Sequence, residues 1–223
     1  MKTPRAAAVL IALCLTPLRA LTPSAALGSG HQPVDESRLV PALSPTFVSQ
    51  GCKSKLTGPV CKGERHLDSA WAPTDLPCAL PIWGARTEDR YQTRYYNHDY
   101  LNYYREFRTN DTDYLSTSPT GPATATISTN VRFFEAFDIS GDDQTMTITT
   151  VGVIWDLRPA QGPALFRAVG ELVEPYNAPA TFSGQVTAGG VSTRYRNAPL
   201  DEFFSEDAFV DAMCQAATAH NTP

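Results

Sequence analysis

Histidine is scarce in this chain, with four in 223 residues, at His31, His66, His98 and His220. That scarcity removes the base that serine and cysteine nucleophiles lean on. His98, beside Asp99, reads as a turn residue at a hairpin tip. No Gly-x-Ser-x-Gly elbow, CxxC pair or glycine-rich phosphate loop is present, so the usual signatures of those chemistries are missing. Positive charge is also short: 18 Lys and Arg stand against 23 Asp and Glu, for a formal charge of −5. An acidic balance argues against nucleic acid as a partner. No apolar run approaches the roughly 20 residues that a membrane-spanning helix needs.

The longest apolar run, Ala6 to Leu15, follows Lys2 and Arg5 and precedes the small residues Ser24-Ala25-Ala26. That order is a secretory signal peptide, residues 1–26, cut after Ala26. It would take Cys14 with it. It would also remove Lys2, Arg5 and Arg19 but no acid, moving the charge from −5 to −8. The expected location is secreted, or extracellular.

Cys52, Cys61, Cys78 and Cys214 then remain, an even number in an exported chain, and three pairings are open to them. The preferred set joins Cys52 to Cys61 around Gly58-Pro59 and Cys78 to Cys214 across most of the chain. A zinc site is the alternative, but the spacing is wrong and His66 is the only histidine nearby.

Residues 27–77 carry many prolines and no sustained periodicity. They read as an irregular arm with a small disulfide loop, its first part (Gly28 to Pro45) a mobile linker. Lys53, Lys55, Lys62 and Arg65 make a local basic cluster there.

From Cys78 to about Ala219 the pattern changes. Ala123–Phe137 alternates apolar Ala125, Ile127, Val131, Phe133 and Phe137 with polar neighbours, the mark of a strand with one wet face. Gln144–Leu157 is a second strand, whose apolar phase switches at a bulge expected near Gly152. Ala164–Glu174 is a third. Two shorter strands, Thr181–Thr187 and Val191–Arg196, follow. Ser205 caps a helix whose stripe is Phe209, Ala212, Met213, Ala216 and Ala217. The expected fold is all-β: an antiparallel meander forming a barrel or strongly curled sheet, with one C-terminal α-helix and the irregular N-terminal arm.

Six of the nine tyrosines lie between Glu88 and Arg108, flanking a turn at Asn97-His-Asp-Tyr100. One face of that hairpin is expected to carry Tyr91, Thr93, Tyr95, Asn102, Tyr104 and Glu106. Tyrosine joins a flat ring to a hydroxyl and suits stacking on sugars or lining a wet cavity. Glu135 shares the phase of Phe133 and Phe137 and would point into an interior. The candidate ligand-binding set is therefore Tyr91, Tyr95, Tyr104 and Glu135, for a small amphipathic ligand or a glycan, with no cofactor required. The enzymatic alternative makes Glu135 and tyrosine hydroxyls an acid–base pair, with Asp156 or Glu174 as second acid. The third alternative is a structural or interaction protein with a filled core. Asp138, Ser140, Asp142 and Asp143 suit a turn better than the spacing of a calcium loop. Asn110-Asp-Thr112 is a formal N-glycosylation acceptor.

A cysteine shortly before a proline (Cys78-Ala-Leu-Pro81) opens this region, long Thr- and Val-rich strands follow, and Asp211-Ala-Met-Cys214 closes it. In that layout, from Cys78 to Ala217, the chain resembles a group of small secreted bacterial β-proteins of unknown function. The resemblance implies the fold and carries over no functional residue.

Overall fold

The computed structural model describes residues 33–219; the expected signal peptide and its cleavage point lie outside them. Ten antiparallel strands make one sheet. They are β1 (Val48–Lys55), β2 (Gly58–Asp68), β3 (Ala72–Pro73), β4 (Trp83–Tyr96), β5 (Asn102–Ser116), β6 (Ala125–Phe137), β7 (Met146–Pro159), β8 (Phe166–Pro175), β9 (Thr181–Ala188) and β10 (Val191–Pro199). A single helix, α1 (Glu206–Thr218), follows. Each strand pairs with the next in sequence, except that the two-residue β3 sits beside β4 while β4 pairs along its length with β2 and β5.

The meander is as expected, but it is not closed into a barrel: β1 and β10 are the two edges. Closure would need β1 to pair with β10. Instead the buried side of the sheet is covered by α1 at one end and by the chain before β1 at the other, so the core is sealed without closure. β1 carries Lys53 and Lys55 on its exposed edge and a register irregularity between Ser49 and Cys52. Both are devices that discourage a further strand from adding.

The arm is the larger correction. Residues 48–68 form β1 and β2, which extend the sheet. Their signal was hidden because β1 is exposed on both faces and β2 turns Cys61 and Gly63 inward rather than large apolar groups. Nor is the segment before them free. Val40 exchanges backbone hydrogen bonds with the β4–β5 turn, donating to Tyr100 (2.9 Å) and accepting from Asn102 (2.8 Å). Leu39 is buried with Tyr96 and Cys61, the Tyr96 hydroxyl donates to the Pro41 carbonyl (3.2 Å), and Arg94 donates to that of Ala42 (3.0 Å). From residue 33 on, this strap replaces the linker expected over Gly28 to Pro45, whose first five residues lie outside the described ones. Both preferred disulfides are formed, Cys52–Cys61 and Cys78–Cys214.

α1 begins where its cap predicts, with the Ser205 hydroxyl accepting from the Ala208 amide (3.3 Å). Ala216 and Ala217 are fully buried against Leu115, Ala125, Leu157 and Phe166. Trp155 stacks on Phe204 at 4.7 Å, and Phe209 packs edge-on to Phe166 at 5.2 Å. Burying a large apolar side chain contributes about 1.5–3 kcal/mol, so this aromatic cluster holds the helix more firmly than its single backbone tether, Thr124 Oγ1 to the Ala217 carbonyl (2.6 Å).

The phase switch in β7 is real, but the bulge lies at Ile154, between Val153 and Trp155. Gly152 has another task. It pairs with Gly170, which pairs with Gly184, making a row of three glycines across β7, β8 and β9. A Cβ at Gly184 would fall 2.3 Å from the Val169 carbonyl oxygen and 2.6 Å from the Phe182 ring. Phe182, itself fully buried, lies over Gly170 and Gly184, whereas a Cβ at Gly152 would meet the Asn130 carbonyl oxygen at 2.4 Å.

Candidate functional site

Because side chains alternate along each strand, the sheet has a covered face, beneath α1 and the strap, and an open face. The expected site residues divide between them. Tyr91, Tyr95 and Tyr104 stand on the open face, whereas Glu135 stands on the covered one. The hairpin register explains the tyrosines. Tyr95 pairs with Tyr104, then a bulge absorbs Tyr103 so that Tyr96 pairs with Asn102. Asn102 therefore belongs to the covered face, where its amide donates to the Tyr95 carbonyl (2.8 Å), and Tyr103 joins the open one. The turn is held by Asn97, whose side-chain oxygen accepts from the amides of Asp99 and Leu101.

On the open face Tyr95 lies 5.6 Å from Tyr104 and 6.4 Å from Tyr103, and Tyr104 stacks with Phe134 at 6.2 Å. Beside these rings lies a groove of ≈ 880 Å³. Its walls carry Tyr91, Tyr95, Lys62, Thr93, Arg108 and Asn130. Tyr91 is half exposed, at 52%. Burial, followed by the nearby Glu106 carboxylate, raises the Tyr95 and Tyr104 phenols above their ordinary range, so both are neutral hydrogen-bonding groups at physiological pH. Arg132 is engaged with Glu106 (2.5 Å) and the His66 ring with Asp89 (2.8 Å). Lys62 and Arg108 have no ion-pair partner among the described residues, and both are exposed. Asn110, of the glycosylation sequence, also lines the groove, so a glycan attached there would occupy it.

Glu135 is tied down. Arg105 holds it at 2.9 Å, reaches Asp143 at 3.0 Å, donates to Asn102 at 2.7 Å and lies over the Phe137 ring. The four contacts clamp the β6–β7 turn to the end of β5. The enzymatic reading needed Glu135 within reach of tyrosine hydroxyls. The thickness of the sheet separates it from those of Tyr91, Tyr95 and Tyr104, and the Tyr96 hydroxyl, on its own side, donates to the Pro41 carbonyl. Of its possible partners, Asp156 is on the open face, held by Arg158 (2.8 Å). Glu174 shares the covered face with Glu135 but stands two strands away, across Ile148. Asp142 accepts from the Gln144 amide, so two of the turn's acids are already engaged. Among the described residues no three His, Cys, Asp or Glu side chains converge as a metal ion would require.

Burial alone raises the Glu174 carboxyl. The folded state therefore holds this proton more tightly than the unfolded chain. Stability falls as pH rises from the ordinary glutamate range through the raised value. Glu174→Gln is expected to raise the melting temperature at neutral pH and to flatten its dependence on pH over that window. An unchanged profile would place the acid in water.

The polar half of the covered face holds a network that the sequence reading passed over. Glu88, 2% exposed, contacts Arg65 (2.5 Å), Arg86 (3.1 Å) and Arg90 (3.4 Å), and Arg86 also holds Asp111. Burial raises the Asp111 carboxyl despite that arginine. Burial lowers the Arg90 guanidinium, and Arg65 and Arg86 crowd it further. The available signal was Arg86, Glu88, Arg90, Gln92 and Arg94 recurring at every second position. The basic cluster read from the sequence is split by the same alternation, Lys62 facing the groove and Arg65 facing Glu88.

No helix among the described residues is long and apolar enough to cross a membrane. No protein-family model matches the chain, and no curated protein or solved structure matches it either.

Proposed function

We propose that this is a secreted saccharide-binding protein whose ligand lies in the open-face groove against Tyr91 and Tyr95 and extends over Tyr104, the ring beside Tyr95. The observation that carries the reading is the aromatic ladder Tyr103–Tyr95–Tyr104–Phe134 beside a groove walled by amides, hydroxyls and cations. A pyranose ring presents C–H groups on its faces and hydroxyls around its rim. It therefore needs flat rings to stack on and polar groups at their margins. A small apolar ligand would need an enclosed, mostly apolar pocket. The apolar side of this sheet is filled by its own side chains and by α1. Two disulfides suit an oxidising compartment, in keeping with the leader read from the sequence.

The purified protein is expected to retain a subset of saccharides on a glycan array. Tyr95→Ala should weaken the best of them about ten-fold, equivalent to about 1.4 kcal/mol, in calorimetry at unchanged circular dichroism. Tyr176→Ala, an exposed tyrosine in the β8–β9 turn, should bind as the parent does. An array with no saccharide retained, or equal affinity for parent and Tyr95→Ala, ends this reading.

A further inference from the structure

The open face carries a second groove, ≈ 560 Å³, whose walls include Arg167, Val169, Gln185, Thr187 and Arg194. It lies at the β8–β10 end of the sheet, on the same side as Tyr91. One row of cross-strand neighbours joins the two grooves. Asp89 pairs with Asn110, Asn110 with Asn130, Asn130 with Val153, Val153 with Val169, Val169 with Gln185, and Gln185 with Arg194. Six steps at the usual spacing of about 4.8 Å span about 29 Å, comparable with a linear chain of roughly six sugar rings. The middle of the row is apolar, because Val153 and Val169 face outward there with Val151 beside them, 41% exposed. Such a floor accepts ring faces and lets a chain cross.

Charge along the path is uneven. Glu106 and Asp156 are each held by a cation (Arg132 and Arg158), Asp89 contacts the His66 ring (2.8 Å), and Glu64 accepts from Gln50 (2.8 Å). Among the described residues Lys62, Arg108 and Arg194 have no ion-pair partner, and Arg167 shares Asp156 at 3.4 Å. Glu171 at one end and Asp68 at the other are exposed acids near the row with no ion-pair partner among the described residues. The excess of cations lies at the second groove, where Arg167 and Arg194 both line the wall, on a chain whose formal charge is −5.

We infer that the ligand is a linear acidic polysaccharide lying across the strands. Its rings stack on the tyrosines at one end, and its carboxylates meet Arg167 and Arg194 at the other. This rests on the tyrosine face being the saccharide site.

The test is calorimetry with oligogalacturonates from the disaccharide to the octasaccharide, with neutral cello-oligosaccharides of the same lengths alongside. Affinity for the acidic series should climb with length, level off near the hexasaccharide and weaken with added salt. The double variant Arg167→Gln/Arg194→Gln should bind the octasaccharide about ten-fold more weakly and the disaccharide as the parent does. Arg194→Gln alone, which breaks no ion pair, gives the same comparison should the double variant not fold. Equal affinity for short and long acidic chains, or no effect of the arginine changes on the octasaccharide, overturns the second groove's part while leaving the tyrosine site standing. Neutral chains binding as well as acidic ones overturn the requirement for charge. Binding of neither series overturns the inference, and the glycan array then decides whether the tyrosine site falls with it.

Discussion

Replacing Cys78 and Cys214 together by alanine is expected to lower the unfolding free energy by about 4–5 kcal/mol. The bridge joins residues 136 apart in sequence, and the entropy a crosslink removes from the unfolded chain grows with the logarithm of the loop it closes. Every strand from β4 to β10 lies inside that loop. The Cys52–Cys61 bridge, at a separation of 9, closes only the β1–β2 edge hairpin and should contribute about 2.5–3 kcal/mol on the same reasoning. Urea titrations of the two double-alanine variants would give the ordering directly. The idea is lost if removing the short bridge costs as much as removing the long one, or if the long one costs less than about 1 kcal/mol against the expected range. Either result would mean that the unfolded chain is already restrained by residual structure.

Glu88→Ala should cost about 2–3 kcal/mol, by leaving Arg65, Arg86 and Arg90, whose side chains are 27%, 38% and 24% exposed, facing one another without their shared carboxylate. The size of the loss comes less from the pairs themselves than from the charges that remain. The Arg90 Nε is already buried without a hydrogen-bond partner, while the outer parts of the three guanidinium side chains reach water and moderate the loss. Exposed Glu171→Ala, on the open face, is the contrast, with a change of at most about 0.5 kcal/mol. Denaturant midpoints for the two variants separate the cases. If Glu88→Ala falls with Glu171→Ala, the guanidiniums find water and the network is not a sealed one.

Legibility followed one physical variable, whether the buried phase of a strand is apolar. β6, β8 and β9 turn Val131, Phe166, Leu172, Phe182 and Val186 inward, and their alternation could be read to within two residues at each end. The helix, with Ser205 as its cap, was equally plain. β4 and β5 were recognised as a hairpin only near the turn, because their covered faces carry arginines and acids that neutralise one another. Hydropathy has no contrast where both phases are polar. β1 and β2 vanished for a related reason, since cysteine and glycine face inward and prolines suggest a loop. For the candidate site, the alternation along the hairpin put three aromatic groups, Tyr91, Tyr95 and Tyr104, on one face, where the strand register also has them. The same argument put Glu135 with an interior, which is right, but could not say that the interior lies on the other side of the sheet from the tyrosines. The second groove was invisible, because Arg167, Gln185 and Arg194 come together only through pairings across three strands.

Trp155 offers an optical handle. Its indole stacks on Phe204 and touches the ring of Phe209 at the start of α1, so its emission should respond when the helix detaches. With the tether between Cys78 and Cys214 cut by a mild reductant, a red shift from this one fluorophore would report opening of the hydrophobic seam while far-ultraviolet signals from the strands still looked native. Trp71→Phe and Trp83→Phe would remove the other two indoles from the spectrum.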